Sequence, residues 1–423
     1  MKLFLFFSTL LLSSAALATD PTGPTTVSVR TLLDEIVAQH PEARFYEAEL
    51  DAARAAARAA GSRADPELAL EAGRKRVRDI GGGLAGEGNA WSVSLVQTFE
   101  WPGRLALRKA IANGDVSLAE LGLARFRAAL EVRALSLALG LSAARQKASA
   151  TAEVAERFRE LRETFLARDP AGLTPLLETR VIEAQELALQ RRATEAALAA
   201  STALAELNQL RGTPLAASAD VAAPAIAFRA APPFDALLRD AQENHFDFRA
   251  RQLELAQHEN LVRLARHERK PAFAVGPYVS REDAGERETT VGLTLSLPLP
   301  LSGSRRAGTD AAEARRRQAE AAVHLAEREL EREVFSAAQA FEAKRMEIER
   351  WAPDSVARFR EAAALADQHY RLGAVPLATY VELQSAYLEA VDALLDTQRE
   401  ALDAALRLQL LTGTNQPFVL AAP

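Results

Sequence analysis

The chain is written twice. His40, Arg44, Glu49, Leu50 and Pro66 recur as His245, Arg249, Glu254, Leu255 and Pro271 at a constant separation of 205 positions. The register then slips slightly, so that Val93 and Leu95 are answered by Val291 and Leu293, and Gly172, Pro175, Leu187, Leu207 and Gly212 by Gly373, Pro376, Leu388, Leu408 and Gly413. A repeat of this length excludes a short-repeat solenoid and implies two copies of one order of elements, with pseudo-twofold internal symmetry. The predicted division is a signal segment at 1–18, a first repeat at 19–213, a Pro-rich linker at 214–233, a second repeat at 234–413 and a tail at 414–423.

The signal segment rests on Lys2, the apolar run Leu3 to Leu12 and the small-residue site Ala16-Leu17-Ala18, with cleavage expected near Thr19. The run is too short to span a bilayer as a helix. No cysteine is present, which excludes disulfides, thiolate metal sites, a thiol nucleophile and a cysteine-linked lipid. Only 6% of residues are aromatic, while Ala, Leu, Glu and Arg dominate, a composition of long helices. The net charge of -6 arises from 51 basic and 57 acidic residues without a basic tract, so nothing points to nucleic acid.

Each copy reads as helix, strand, loop, strand, long helix, turn, return helix. In the first, a helix over 29–63 with a kink at Pro41 ends at Asp65-Pro66, weak alternation covers 67–74, a Gly-rich loop covers 81–88, and Trp91, Val93, Leu95 and Phe99 alternate with small polar residues up to a weak point at Gln97. From Gly103 to Asp169 the pattern is helical for about 65 residues, or ~100 Å. Leu123, Phe126, Leu130, Leu137 and Leu141 form its seam. A return helix of about 37 residues reaches Arg211. In the second copy a helix covers 234–269, strands begin at Phe273 and Val291 around a charged loop at 281–288, and Val291, Leu293, Leu295, Leu297, Leu299 and Leu301 alternate with Gly, Thr, Ser and Pro. A long helix over 307–370 should bend or break at Pro353. A strand with one aliphatic and one small or polar face suits either a half-buried soluble sheet or a membrane barrel. Four strands cannot close a barrel alone, whereas an oligomer sharing one can, with Val291, Leu293, Leu295 and Leu297 toward lipid.

In this order of elements the chain resembles the TolC-type family of outer-membrane efflux channels over nearly all of its mature length. The stretch Gln97-Thr98-Phe99-Glu100-Trp101-Pro102-Gly103-Arg104, followed by Arg108, resembles more narrowly the CzcC-like heavy-metal branch. The resemblance implies a mainly helical fold with a membrane β-barrel: a homotrimer sharing twelve strands, with long helices forming a periplasmic tunnel. It implies an outer-membrane location in a Gram-negative bacterium, a periplasmic adaptor and a resistance-nodulation-division type inner-membrane pump as partners, no cofactor and no enzymatic activity. The turns Ala171-Gly172-Leu173-Thr174 and Leu372-Gly373-Ala374-Val375 match the family's adaptor-docking tip, though Ala374 and Val375 depart from its Leu-Thr. Glu178, Tyr370 and Glu382 match gate or constriction positions, with Glu in place of Asp, while Val375 stands where the family has an arginine. Apart from the resemblance, Gly172 and Gly373 read as tight-turn glycines, Glu178 and Glu382 as solvated carboxylates and Tyr370 as a packed aromatic.

His245, His258 and His267 are spaced by 13 and 9, which suits no shared helix face for zinc. No phosphate loop, Gly-x-Ser-x-Gly elbow or His-Glu-x-x-His run occurs. Three functions remain: a passive duct for heavy-metal cations such as cobalt, zinc or cadmium, the same duct serving drugs or type I protein secretion, and a structural periplasmic coiled-coil protein.

Overall fold

The computed structural model describes residues 26–168, 176–215, 220–222, 226–299, 303–352, 354–414 and 417–421. The expected signal segment, and the first tip residues Gly172, Leu173 and Thr174, lie outside them. After a short β1 (Thr26–Ser28), α1 (Val29–Gln39) and α2 (Pro41–Ala60) lead to β2 (Glu67–Arg78) and β3 (Leu84–Phe99). Then come α3 (Arg104–Arg168), α4 (Leu176–Arg211), β4 (Asp220–Ala222) and β5 (Ile226–Phe228). The second half repeats the order in α5 (Phe234–Asn244), α6 (Phe246–Glu268), β6 (Phe273–Asp283), β7 (Arg287–Ser296), α7 (Ser304–Glu349), α8 (Ser355–Arg371) and α9 (Leu377–Thr412), ending in β8 (Val419–Ala421).

The kink expected at Pro41 is a full break, and an unexpected one stands at the equivalent place in the second half. His40 and His245 take the same extended conformation, with φ -62° in both and ψ 126° and 122°. Each caps the helix that follows: His40 Nδ1 accepts from the Glu42 amide at 3.3 Å, and His245 Nδ1 from the Phe248 amide at 3.4 Å. An imidazole acceptor here satisfies an amide that the helix start leaves without a partner. The duplicated histidines are therefore structural, and among the described residues no cluster of His, Asp or Glu could hold a metal ion.

α3 is one unbroken helix of 65 residues, about 98 Å long. Its counterpart is divided into α7 and α8, the interruption falling at 350–354 as Pro353 predicts, although Pro353 itself is outside the described residues. The hydrophobic material lies in three clusters spaced along these rods. Two surround the middle, where the parallel pair β1–β4 and the antiparallel pair β5–β8 clasp the helices, and the third lies near the α8–α9 turn. The predicted seam is present: Leu123, Leu130 and Leu141 are buried, and Phe126 stacks on Tyr46 at 4.8 Å.

The main sheet has the order β2-β3-β6-β7 and is antiparallel throughout, with β3 pairing to β6 across the two halves. β2 and β7 are its open edges. The hairpins are longer than the sequence pattern predicts. Residues 84–88, expected in a loop, belong to β3, and the charged loop 281–288 shrinks to the three residues 284–286. The reason is steric: a Cβ at Gly86 would collide with the Ala284 carbonyl and one at Gly88 with the Asp283 carbonyl. These glycines let the neighbouring hairpin's backbone close over β3 instead of loosening the chain. β7 in turn ends at Ser296, so Leu297, expected in the lipid-facing strand, lies just past it. Pro298 and Pro300 have no amide to continue a ladder.

Candidate functional site

Registering the four strands sorts their side chains into two faces. On one, Leu70 pairs with Val93, Val93 with Val279 and Val279 with Val291. Neighbouring rows hold Leu68 with Leu95, Pro277 with Leu293, and Gln97 with Val275 and then Leu295. On the other, Glu71 pairs with Ser92, Ser92 with Ser280 and Ser280 with Thr290, next to a row of Ala69, Ser94, Tyr278 and Gly292. Ser92 Oγ donates to Glu71 Oε2 at 3.1 Å across the polar face. A Cβ at Gly292 would meet the Tyr278 ring, so this glycine makes room for the aromatic. Val291, Leu293 and Leu295 are all about three-quarters exposed, at 73%, 77% and 69%. Water is a poor neighbour for such a continuous surface.

Aromatic residues bound the apolar rows. At the end near the helices Phe99 stacks on Phe273 at 5.6 Å, with Trp101 edge-on to Phe273 at 6.4 Å. Trp91 closes the far end, opposite Ala72 and Arg281. Phe99 to Trp91 is eight residues, or roughly 27 Å along a strand and ~21 Å after a tilt of ~40°, close to the ~25 Å apolar band of membrane barrels with its aromatic girdles. No helix among the described residues is long and apolar enough to cross a membrane.

The stretch from Glu100 to Arg108 joins this sheet to the helical rod. Gly103 takes φ +96°, a conformation that favours glycine, and lies against His267. Trp101 Nε1 donates to the Pro271 carbonyl at 2.6 Å, Lys270 sits over the Trp101 ring, and Glu100 pairs with Arg108. Arg104, buried, donates to the carbonyls of His267, at 2.9 Å, and Lys270, closing the C-terminus of α6. Gln97, the weak point of the strand pattern, donates to the Ala64 carbonyl at 2.8 Å and ties down the approach to β2. This motif is thus a structural joint between the two repeats. Arg104→Ala should lower the thermal stability of the folded protein, since each charged hydrogen bond lost is worth ~1.5–3 kcal/mol. Arg104→Lys should recover only part of it. Thermal melting of the variants in detergent checks both.

At the other end of the rod, α8 and α9 meet in a turn built around Gly373, whose φ is +73°. The Gly373 amide donates to the Tyr370 carbonyl at 2.9 Å and the Ala374 amide to the His369 carbonyl at 2.8 Å, the paired bonds of a Schellman ending. Leu372, Gly373 and Ala374 are exposed, whereas Val375 leans on the core cluster behind the turn. Tyr370 is buried in that cluster, its ring stacked on Tyr380 at 5.2 Å, and Tyr380 meets Phe158 at 5.1 Å. One aromatic stack therefore joins α3, α8 and α9. Burial, with the nearby Glu178 carboxylate adding to it, pushes the Tyr370 phenol from 10 up to about 12. Glu382 lies exposed on α9, apart from this cluster.

Ion pairs hold α8 down on α3. Arg360 reaches Glu153 at 3.0 Å, and Arg371 reaches both Glu160 and Asp367 at 2.9 Å. Gln384, buried, accepts from Arg157 at 3.1 Å and donates to the Ala363 carbonyl at 2.7 Å, joining α9 to both. The sequence reading missed the Arg360–Glu153, Arg371–Glu160 and Arg157–Gln384 partners because pairs more than 200 positions apart leave no local signature.

The raised Tyr370 phenol has a pH consequence. Between pH 10 and about 12 the unfolded chain releases this proton while the folded tip retains it, so the stability from burying the neutral phenol is present below pH 10 and lost as pH rises through about 12. Phenolate absorbance of wild type minus Tyr370→Phe should show the late titration, with tip stability falling over the same window.

Residues 237–414 match the outer membrane efflux protein family. The chain has the fold of solved outer membrane channels. A membrane protein from Pseudomonas aeruginosa is similar at 21% identity, TM-score 0.73, covering 95% of this chain and 96% of its own. The CmeC outer membrane channel of Campylobacter jejuni gives 15% identity, TM-score 0.73, and coverage of 96% and 94%. The open state of the Neisseria gonorrhoeae MtrE outer membrane channel gives 18% identity, TM-score 0.70, and coverage of 91% and 88%. No curated protein matches the chain by sequence. The outer membrane efflux match coincides with the second repeat, where the alternating strand is clearest. The first repeat builds the same order of elements from a weaker pattern.

Proposed function

We propose that this chain is the outer-membrane channel of a tripartite efflux system, a homotrimer that passively conducts substrate from an inner-membrane pump of the resistance-nodulation-division type and its periplasmic adaptor to the exterior. The observation that carries the reading is a four-stranded sheet with one continuous apolar face and two open edges, mounted on helical rods of about 98 Å. In lipid an unpaired strand edge leaves amides and carbonyls without partners, so β2 of one protomer joins β7 of the next until twelve strands close. The polar face then lines the lumen. A structural coiled-coil protein has no use for such an apolar face.

Heavy-metal cations are the proposed cargo. Support comes from the Gln97–Arg108 resemblance and from the polar face, where Glu67, Glu71, Glu282 and Glu288 outnumber Lys75. Three copies of that face would favour cations while leaving them free to depart. Drug efflux or type I protein secretion is the second reading, since the pump selects the cargo. A deletion strain challenged with zinc, cobalt, cadmium, copper, nickel and several drugs separates them: sensitivity to drugs alone would remove the metal assignment.

In this reading Leu372, Gly373 and Ala374, with Gly172, Leu173 and Thr174 of the first repeat, form the adaptor-docking tip, and Val375 supports it from behind. Gly373→Val forces a side chain into a left-handed conformation that costs it ~1–2 kcal/mol. The trimer should remain in the membrane while export falls to the level of the deletion strain. Cysteines at Leu173 or Ala374 that never crosslink to the adaptor in an exporting cell would contradict tip docking.

Tyr370 and Glu178 hold the resting entrance closed, and Glu382 supplies a ring of three carboxylates around the axis. The Tyr370 hydroxyl is buried with the Glu178 carboxylate nearby, so removing it alters the packing and charge that favour the resting state. Tyr370→Phe should therefore raise single-channel conductance, and Glu382→Gln should lower cation over anion preference without widening the pore. Unchanged conductance and reversal potential in a salt gradient would remove these residues from the gate.

A further inference from the structure

The apolar face of the main sheet does not continue to the hairpin turns. Arg281 and Thr289 lie in the Trp91 row itself, and beyond it the same face carries Arg74 and Arg76 on β2, Glu87 and Asn89 on β3, Asp283 on β6 and Arg287 on β7. Four arginines share two carboxylates. Arg76 pairs with Glu87 at 3.1 Å, with Arg74 at 4.0 Å from the same group, and Arg287 pairs with Asp283 at 2.9 Å, with Arg281 at 3.6 Å from it. Each carboxylate is thus shared by two guanidinium groups, which leaves two positive charges per protomer. The opposite face at the same height carries Lys75 against Glu282 and Glu288, so the basic excess belongs to the outward face alone. Arg74, Arg76 and Arg287 are well exposed there, with side chains 78%, 59% and 70% accessible.

Position narrows the occupant. Arg74, Arg76 and Arg287 stand past the Trp91 row and Arg281 within it, on the side of the sheet away from the helices. Given the channel reading, on which this inference rests, that is the outer rim of the barrel at headgroup level of the external leaflet. We infer that the rim formed by Arg74, Arg76, Arg281 and Arg287 binds the phosphates of the external leaflet's phosphorylated glycolipid. Guanidinium groups suit phosphate because their fixed fork offers two parallel donors. The sharing of carboxylates keeps the arginines extended along the face without cancelling their charge. A trimer would present three such patches, six net positive charges in a ring, holding the barrel at a fixed depth by phosphate contacts above and aromatic contacts below.

The test uses full-length trimers in nanodiscs of phosphatidylethanolamine doped with diphosphoryl lipid A, released and weighed by native mass spectrometry. Wild type should retain lipid A over phosphatidylethanolamine. The combined variant Arg74→Gln, Arg76→Gln, Arg281→Gln, Arg287→Gln should retain about tenfold less. Lys75→Gln, on the other face, should retain as much as wild type. A combined variant that remains trimeric and keeps lipid A at the wild-type level overturns the inference. Wild type alone provides a second arm should the variant fail to assemble: fully dephosphorylated lipid A should be retained no better than phosphatidylethanolamine, and equal retention of the two forms of lipid A overturns the inference equally. Wild type that never inserts as a trimer overturns the channel reading along with it, and the protein mass alone distinguishes that case.

Discussion

Leu293→Arg is expected to remove the trimer from the membrane. Leu293 lies opposite Pro277, midway between the Phe99–Phe273 pair and the Trp91 row, and is among the most exposed large apolar side chains of the protomer at 77%. An arginine on the lipid face near the bilayer midplane costs ~2–4 kcal/mol, and the proposed shared barrel would take one from each of three protomers, about 6–12 kcal/mol in all. That is comparable to the whole stability of an ordinary domain. Ser92→Arg is the matched control. It puts the same charge on the polar face beside Glu71, where water and a carboxylate receive it. Heat-resistant trimer on a detergent gel, quantified from isolated membranes, should be absent for Leu293→Arg and near wild type for Ser92→Arg. Equal yields would mean that the apolar rows do not face lipid.

The second large effect is expected at Tyr380, a residue that drew no attention in the sequence. It is fully buried between Phe158 of α3 and Tyr370 of α8, and burial, with the Asp367 carboxylate adding to it, pushes its phenol upward. Tyr380→Ala removes the middle of a three-ring stack and leaves a cavity that long, rigid helices cannot collapse into. Truncations of buried aromatics cost ~3–5 kcal/mol. Because the hydrophobic clusters are separated along the rod, the loss should stay local. Limited proteolysis should cut near the α8–α9 turn while the barrel remains trimeric, and the resting conductance should rise. Loss of the whole trimer would instead show that the tip and the barrel fold as one cooperative unit.

Much of this architecture was legible because its signals are local. Period-two alternation announced β7, an uninterrupted helical pattern announced α3, and a proline announced the α7–α8 interruption. The repeat at 205 positions connected the halves. What stayed hidden depends on contacts across the chain. Gly86 and Gly88 read as a loop because a glycine shows only its freedom, not the Asp283 and Ala284 carbonyls that fill the space beside it. β4, β5 and β8 are three residues each, too short for any period to register, and they exist because another segment lies alongside. The spacing of His245 argued against a metal site but did not reveal that its ring caps a helix. At the tip, the turn chemistry of Gly373 was visible but the Phe158–Tyr380–Tyr370 stack was not, since its members come from three helices.

Channel formation by this chain is tested most directly by the conductance of purified, detergent-extracted protein in planar bilayers, with its mass determined in the same preparation. The expected result is a trimer that inserts, conducts in discrete steps, prefers cations and gains conductance on Tyr370→Phe. A monomer with its strand content intact and no conductance would contradict it.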